Sequence, residues 1–555
     1  MSSEDIRIGV FICHCGTNIG GVLDVPSLTD YARSLPNVTY SADNLYTCSE
    51  VGLTEIKENI KEHELNRVIV ASCSPRTHEP LFRAICQEAG LNPYLFEMVN
   101  IRDQDSWVHM KEPEKGTDKA RDLIRMSVYK AALLEPLERV KVAVTHSAFI
   151  IGGGIAGMTA ALNLGNQGFK IFLIEKEPEL GGLLNSLNKV FPSNEDASKL
   201  LEIIDMIESH DNIKLYKSSV IENITGFVGN YNVVIKQNKK TINIDAGVII
   251  VATGAIPLSP EGYFGYDKKK IISQLDLERL LKDDQVKANN ITMILCVGCR
   301  NEERSYCSNI CCMSAIKNAM LLIEKNPNTH ITILFRDIQA AGTDYEKYYR
   351  RAREMGILFI KYLPEKPPII KKDLVDVYSD LLNQDIKIPQ DLVVLSTPLI
   401  ANEDSEVLAK MLKVPLEENN FFLEAHVKLR PVDFATDGVY VCGSAHWPAD
   451  IAESTSQANA AASRASIILW KDQLEVEGST AEVKTELCIG CEACIRICPY
   501  SAITKDEETD TAIVNKVVCK GCGLCGASCP KNAIIIHHFT SDQIRAEIFT
   551  YGGEI

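Results

Sequence analysis

AFIIGGGIAGMTAALNL, residues 148–164, decides the fold: an apolar run meets three spaced glycines and passes straight into an alanine-rich helical pattern. Residues 148–151 read as a strand, 158–164 as a helix and 170–174 as the next strand, which makes a βαβ unit. Gly152, Gly154 and Gly157 spell GxGxxG at its turn, and Glu175 ends the following strand 18 residues past Gly157. Glycines there permit a tight turn and let backbone N–H groups approach a pyrophosphate at the helix N-terminus, while the acid can accept hydrogen bonds from a ribose. Residues 147–169 carry no charge and have the length of a membrane span. Their six glycines, with Asn163, Asn166 and Gln167, fit the nucleotide turn instead.

The chain around this unit has 555 residues, 46% apolar and 24% charged. That is ordinary globular composition, with room for about three or four domains of ~150 residues. A net charge of −16 argues against a nucleic-acid binder, because phosphate binding relies on Lys and Arg neutralising a polyanion. The start, MSSEDIRIGVFICHCG, is acidic where an export signal is basic, and its apolar run is short, so a cytoplasmic protein without a membrane span is expected. The cytoplasm would hold the 19 cysteines as thiols, which points to metal or redox use.

Residues 1–140 alternate strand-like runs (8–12, 68–71) with helical patterns (53–63, 79–89), an α/β domain whose cysteines follow strand ends. Residues 145–290 hold the βαβ unit. Residues 291–400 repeat its order with a strand at 291–297, a cysteine-rich turn, a helix at 314–324 and a strand at 331–335, and 401–470 return to the preceding fold. A polar linker, 471–486, leads into a cysteine-rich α+β module, 487–555, which closes in a short helix and tail after Ser541.

Cys488, Cys491, Cys494 and Cys498 before Pro499, and Cys519, Cys522, Cys525 and Cys529 before Pro530, are two copies of CxxCxxCxxxCP, the two-cluster ferredoxin pattern. Three close cysteines hold one [4Fe–4S] cubane and the fourth reaches the other. The sets are therefore Cys488, Cys491, Cys494 and Cys529, and Cys519, Cys522, Cys525 and Cys498. A pair of zinc ribbons is the plainer alternative, but its ligands come as separated CxxC pairs.

Gly181-Gly182, Val251-Ala252-Thr253-Gly254-Ala255 and Gly438-Val439-Tyr440-Val441-Cys442-Gly443 follow the βαβ unit in the order of thioredoxin-reductase-type flavoproteins, which this part resembles. The resemblance implies FAD on Gly152, Gly154, Gly157, Glu175, Gly182, Thr253, Gly254 and Gly443. Ser444 stands where those proteins carry an acid. Their second GxGxxG, for NAD(P)H, is missing. In its place Ile294-Leu295-Cys296-Val297-Gly298-Cys299-Arg300 offers one glycine, and Cys307, Cys311 and Cys312 follow.

This Cys…CxxxCC set, the neighbouring Ser314-Ala315-Ile316-Lys317-Asn318-Ala319 and the stretch 10–137 resemble the A subunit of heterodisulfide reductases. The resemblance implies a [4Fe–4S] cluster on Cys296, Cys307, Cys311 and Cys312, with Cys299 spare and Lys317 near the isoalloxazine ring as the catalytic cation. It implies another on Cys13, Cys15, Cys48 and Cys73. His14 is expected to lie off that cluster, and Cys86 in a helical core. The plainer readings are buried thiols, with Cys307 one helical turn ahead of Cys311-Cys312, and an exposed helical lysine.

Longer members of that family insert a further ferredoxin module before the Val251–Ala255 turn. Here residues 232–252 pass from strand to strand through the polar turn 237–240, and 194–198 lack cysteine. The resemblance thus implies one FAD and four [4Fe–4S] clusters in an oligomeric complex. Its partners would be disulfide-reducing and iron–sulfur subunits, a hydrogenase-, formate- or flavin-linked donor, and ferredoxin, with flavin-based bifurcation coupling disulfide to ferredoxin reduction. The disulfide chemistry would sit on a partner, since Met313 follows Cys311-Cys312 in place of a CCG-type motif. The rivals are an NAD(P)H-dependent flavin reductase with a ferredoxin tail, and a relay subunit that only passes electrons.

Overall fold

Strands buried on both faces read as unbroken apolar runs. In the computed structural model of the chain, which describes residues 5–551, these runs are the central strands of parallel sheets. The acidic start at residues 1–4 and the end of the tail at 552–555 lie outside the described residues. The chain divides into two units, one holding the residues up to Lys141 together with those from Glu475 on, the other Val142–Leu474.

In the first unit Ile8–Cys13 and Arg67–Ser72, buried at every position, lie between Val38–Asn44 and Phe96–Asn100 in a four-stranded parallel sheet. Helices Val25–Arg33, Glu50–Glu62 and Pro75–Glu88 are the crossovers, so the carboxyl ends of the strands share one edge. The cysteine-rich end belongs to this unit and is built twice over. Ala481–Val483 pairs with Ile534–Ile536 and Ile503–Lys505 with Ala512–Val514, each antiparallel, and the short helices Ala493–Ile497 and Leu524–Ser528 complete the two halves. Helix Ser541–Thr550 opens on a capping box at Thr540 and packs on Pro113–Ala131. The buried Lys130 ties the contact, its Nζ 2.9 Å from Glu97 Oε1 and 3.6 Å from Glu547 Oε1. The expected linker 471–486 differs from this: it contains the strands Gln473–Val476 and Ala481–Val483. Runs of three or four residues are too short to show a strand's alternation.

The second unit repeats one plan. A five-stranded parallel sheet runs Val439–Val441, Val248–Val251, Ser147–Ile151, Lys170–Ile174, Ile213–Tyr216, joined by the three antiparallel strands Ser219–Phe227, Asn230–Gln237 and Lys240–Ala246. A second parallel sheet runs Ile271–Ser273, Leu392–Leu395, Asn290–Ile294, His330–Phe335, Leu358–Lys361, joined by Ile369–Ile370, Leu374–Ser379 and Gln384–Pro389. This doubling is the order expected of a flavin domain with a nicotinamide-type domain. The boundary expected at 290/291 falls too late, because Ile271–Ser273 and helix Gln274–Lys282 already serve the second sheet. The turn at 237–240 is a two-residue hairpin, with Asn238 at φ +47° and Lys239 at +69°, so the strands run on without an inserted module. No helix among the described residues is long and apolar enough to cross a membrane. Residues 147–169 are shared between a strand and helix Ile155–Asn166.

Candidate functional site

The GxGxxG turn joins strand Ser147–Ile151 to helix Ile155–Asn166. Gly152 sits at φ +110°, and a Cβ there would stand 2.3 Å from the Ala252 carbonyl oxygen; at Gly157 it would stand 1.9 Å from that of Gly152. These two glycines let the helix, the turn and the next strand approach closely. Gly154, the helix N-cap, differs: a Cβ there meets nothing within 4 Å, so this glycine borders open space at an uncapped helix N-terminus. Gly182 and Gly443 frame the same end, their ideal Cβ positions lying 3.5 Å from Gly154 Cα and 2.7 Å from Ala156 Cβ. Across from it Thr253 Oγ1 is buried without a partner and Gly254, at φ +68°, borders open space. Glu175 is buried, and its carboxylate accepts from the N–H groups of Gly153 (2.7 Å) and Glu177 (2.8 Å), so it braces the turn. Open glycines, free helix N–H groups and an orphaned hydroxyl fit a dinucleotide. Ser444 instead donates to the Ala449 carbonyl (3.1 Å) within its own loop.

In the second sheet, strand Asn290–Ile294 ends where five cysteines begin. Cys296 (φ +60°) and Cys299 lie in the turn, and the exposed Cys307 in the loop beyond. Cys311 and Cys312 open helix Cys311–Lys325, whose N-cap Ile310 supplies no side-chain cap. Cys307 therefore precedes the helix and does not form a helical turn with Cys311. Sulfurs at a helix N-terminus are favoured as thiolates by the free N–H groups. The Cys299 hydrogen bond, then Arg300 against burial, pulls the Cys296 thiol down; the same bond and burial push Cys299 up. Burial works the other way, pushing Cys311 up and Cys312 up to about 12. All 19 cysteines are free thiols.

Lys317, on the same helix, is 1% exposed, which excludes the exposed-lysine reading. Its Nζ donates to Glu278 and to the Lys189 carbonyl (2.8 Å), and Glu278 also accepts from the Asn188 N–H (3.0 Å). Burial holds the lysine below its ordinary range, against the pull of Glu278. Lys317→Gln would leave Glu278 buried without its cation, at a cost of about 3–5 kcal/mol in chemical unfolding. Adding Glu278→Gln should recover much of that loss; a double variant as unstable as the single would show that Lys317 only fills space.

In the first unit, Cys13 ends one central strand and Cys73 follows the other, Cys15 (φ +47°) is in the next turn, and Cys48 precedes helix Glu50–Glu62. Cys13 Sγ accepts from the N–H groups of Cys15 (3.3 Å) and Thr47 (3.4 Å). Burial, then Cys13 and Cys15, push the Cys48 thiol up. Burial also raises Cys73, with Arg102 opposing and Cys15 and Cys13 adding. His14 Nε2 is engaged by Asp43 Oδ2 at 2.7 Å, and Cys86 is buried in a helix. Sequence reasoning missed Arg102, whose Nη1 lies 3.6 Å from Cys15 Sγ. Nothing near residue 102 announces it, because only the sheet brings the carboxyl end of its strand beside Cys15.

The ferredoxin motifs enclose two cavities. One, about 450 Å³ with open solvent included, is lined by Cys488, Cys491, Cys494 and Cys529; the other, about 320 Å³, by Cys498, Cys519, Cys522 and Cys525. The thiols of each set surround a space. Backbone N–H groups aim at these sulfurs: Ala502 at Cys498 and Ala533 at Cys529, each 3.3 Å, and Ala481 at Cys519, 3.4 Å. Sets of four thiols around room for a cage fit cubane clusters.

Residues 146–299 match the family described as pyridine nucleotide-disulphide oxidoreductase, and 487–533 the 4Fe-4S dicluster domain. The second iron-sulfur A subunit of CoB–CoM heterodisulfide reductase from Methanopyrus kandleri is 37% identical over 604 positions, covering 91% of this chain and 92% of its own. The A subunit of H(2):CoB-CoM heterodisulfide,ferredoxin reductase from Methanothermobacter thermautotrophicus is 38% identical over 91% of each chain. A protein of Archaeoglobus profundus described as like the heterodisulfide reductase A subunit is 36% identical over 99% of each. Among solved structures, thioredoxin reductase of Lactococcus lactis covers 59% of this chain and 99% of its own, at 16% identity and a TM-score of 0.42. The 604 aligned positions exceed what 91% of 555 residues can fill, so about a hundred positions of the Methanopyrus relative have no counterpart here.

Proposed function

We propose, on the premise that this chain belongs to the A-subunit family of heterodisulfide reductases, that it is the flavin- and cluster-bearing electron-transfer subunit of a heterodisulfide reductase-type complex. The chain is an oxidoreductase with a flavin-type domain and a 4Fe–4S dicluster domain. One observation carries the finer reading. The strand end and helix N-terminus that would present glycines to a second dinucleotide present Cys296, Cys307, Cys311 and Cys312, on the helix that carries the buried Lys317 and in the loop before it.

FAD, when bound, supplies the exchange between paired and single electrons, and the clusters pass them singly. In this reading Gly152, Gly154, Gly157, Gly182, Thr253, Gly254 and Gly443 hold the dinucleotide, Glu175 braces its turn and meets the ribose, and Lys317 keeps a cation at the flavin edge. Glu278 and the Lys189 carbonyl fix the ammonium, so water need not solvate it. Four [4Fe–4S] clusters take the two ferredoxin sets, the Cys-rich turn and Cys13, Cys15, Cys48 and Cys73, with Cys299 spare. Relatives are named as subunits of H(2)- or H(2)/formate-linked heterodisulfide,ferredoxin reductases. On that likeness we assign a hydrogenase-, formate- or flavin-linked donor, ferredoxin, and iron–sulfur and disulfide-reducing partner subunits in the cytoplasm, with bifurcation between disulfide and ferredoxin reduction.

The chain purified without oxygen should hold one FAD and about 16 iron atoms, four for each set of four cysteines. Cys311→Ser should lose about a quarter of the iron, keep FAD, and slow electron exchange between flavin and clusters. Iron near half the expected content would remove both unconventional clusters, and unchanged iron in Cys311→Ser would reduce the turn to packing.

A further inference from the structure

We propose that Arg102 and Arg300 set the reduction potentials of the N-terminal and Cys-rich-turn clusters, Arg102 by placing a guanidinium N–H on a ligand thiolate and Arg300 by holding a buried, unpaired N–H in the turn that carries Cys296. The inference rests on the cluster reading above and goes beyond it.

Arg102 opens the single turn Arg102–Ser106, just past the strand Phe96–Asn100. Its Nη1 stands 3.6 Å from Cys15 Sγ, its Nε donates to Asp103 Oδ1 (3.2 Å), and its guanidinium lies 4.8 Å from the centre of the Trp107 ring. Asp103 is itself held by Asn100 Nδ2 at 2.9 Å, so the cation has one orientation, toward the thiols. Arg300 is anchored in a comparable way, by an aspartate, past the end of a strand in another sheet. It sits at φ +56°; its carbonyl accepts from Arg336 Nη1 (2.8 Å), and its Nη2 donates to Asp337 Oδ2 (2.7 Å). That leaves Nη1, which is buried with no partner of its own, on the turn that also holds Cys296 and Cys299. An orphaned buried donor in a turn of ligand cysteines has a role once their sulfurs carry charge.

The ferredoxin sulfurs have a different surrounding. Their donors are the backbone N–H groups of Ala481, Ala502, Gly521 and Ala533, and the lysines at the cavity linings, Lys505, Lys520 and Lys531, are exposed. Reduction adds one negative charge to a cluster, and a cation fixed against a ligand in a partly buried site favours the reduced form far more than a hydrated one does. Each arginine should therefore raise the potential of its own cluster and leave the ferredoxin pair alone.

The test is an EPR-monitored redox titration of the full chain and of Arg102→Gln, Arg102→Lys, Arg300→Gln and Arg300→Lys, with iron and FAD measured on each. Cys73→Ser and Cys311→Ser label the two signals by removing them, and their retention would overturn the ligand reading, and this inference with it. Given both signals, each glutamine variant should lower the reduced-to-oxidised ratio of its own cluster by about tenfold at fixed poise, about 59 mV for one electron. Each lysine variant should recover part of that shift. Should a glutamine variant lose iron, the midpoint of its lysine variant decides. Fully loaded variants that titrate like the unchanged chain would overturn the proposal.

Discussion

Gly154→Asp is expected to fold as well as the unchanged chain and to bind no FAD, whereas Gly157→Ala should weaken the fold itself. The two glycines share one motif and do different work. At Gly157 a Cβ would stand 1.9 Å from the Gly152 carbonyl oxygen, and backbone cannot yield as a flexible side chain can. Overpacking of this kind costs about 1–3 kcal/mol, and here it displaces the turn whose N–H groups would hold the pyrophosphate. At Gly154 the backbone is extended, φ −77° and ψ −178°, and no atom lies within 4 Å of a Cβ. An aspartate at a helix N-cap is at least as favourable as glycine, by a few tenths of a kcal/mol. Its carboxylate would occupy the space of the pyrophosphate and repel it. Thermal unfolding of the flavin-free proteins and flavin absorbance after purification separate the effects. Wild-type FAD occupancy in Gly154→Asp would show that the dinucleotide lies elsewhere.

What the sequence discloses follows the range over which each signal acts. The flavin turn and the ferredoxin cysteines are legible because their chemistry is local: strand, glycines and helix are contiguous, and three of each four ligands fall within seven residues. Cys13, Cys15, Cys48 and Cys73 are dispersed, and spacing alone says little about them. The segments that carry them lie at one edge of the sheet because parallel strands joined by helices deliver their carboxyl ends there. Cys307 reads as helical because Cys311 and Cys312 do, but the helix begins at Cys311, so the loop before it presents this thiol. The strands Ile271–Ser273 and Ala481–Val483 are too short to have a period, which hides the start of the second sheet and makes a linker of what is sheet. That the two ends of the chain fold as one unit is not legible at all. The pairing of Lys130 with Glu97 and Glu547 is a long-range fact with no local trace.

NADH and NADPH should fail to reduce the flavin of the isolated chain at a useful rate, while dithionite or a reduced low-potential ferredoxin should reduce it through the clusters. In the flavin domain three residues separate strand Ser147–Ile151 from helix Ile155–Asn166, so the helix N-terminus stands at the end of the strand. In the second domain 16 residues separate strand Asn290–Ile294 from helix Cys311–Lys325. The one glycine of the turn, Gly298, does not open it: at φ +82° a Cβ would stand 2.5 Å from Leu258 Cδ2 and 3.2 Å from Tyr263, so it serves close packing. Cys296 and Arg300 take the left-handed conformations that glycines would otherwise provide, and two cysteines occupy the helix N-terminus where a pyrophosphate would accept N–H groups. A nicotinamide dinucleotide would therefore meet no glycine cradle for its phosphates here. Stopped-flow mixing with either nucleotide should show no saturable bleaching of the flavin. Rapid, saturable bleaching would make the chain an NAD(P)H-dependent flavin reductase with a ferredoxin tail, and the Cys-rich turn would need another purpose.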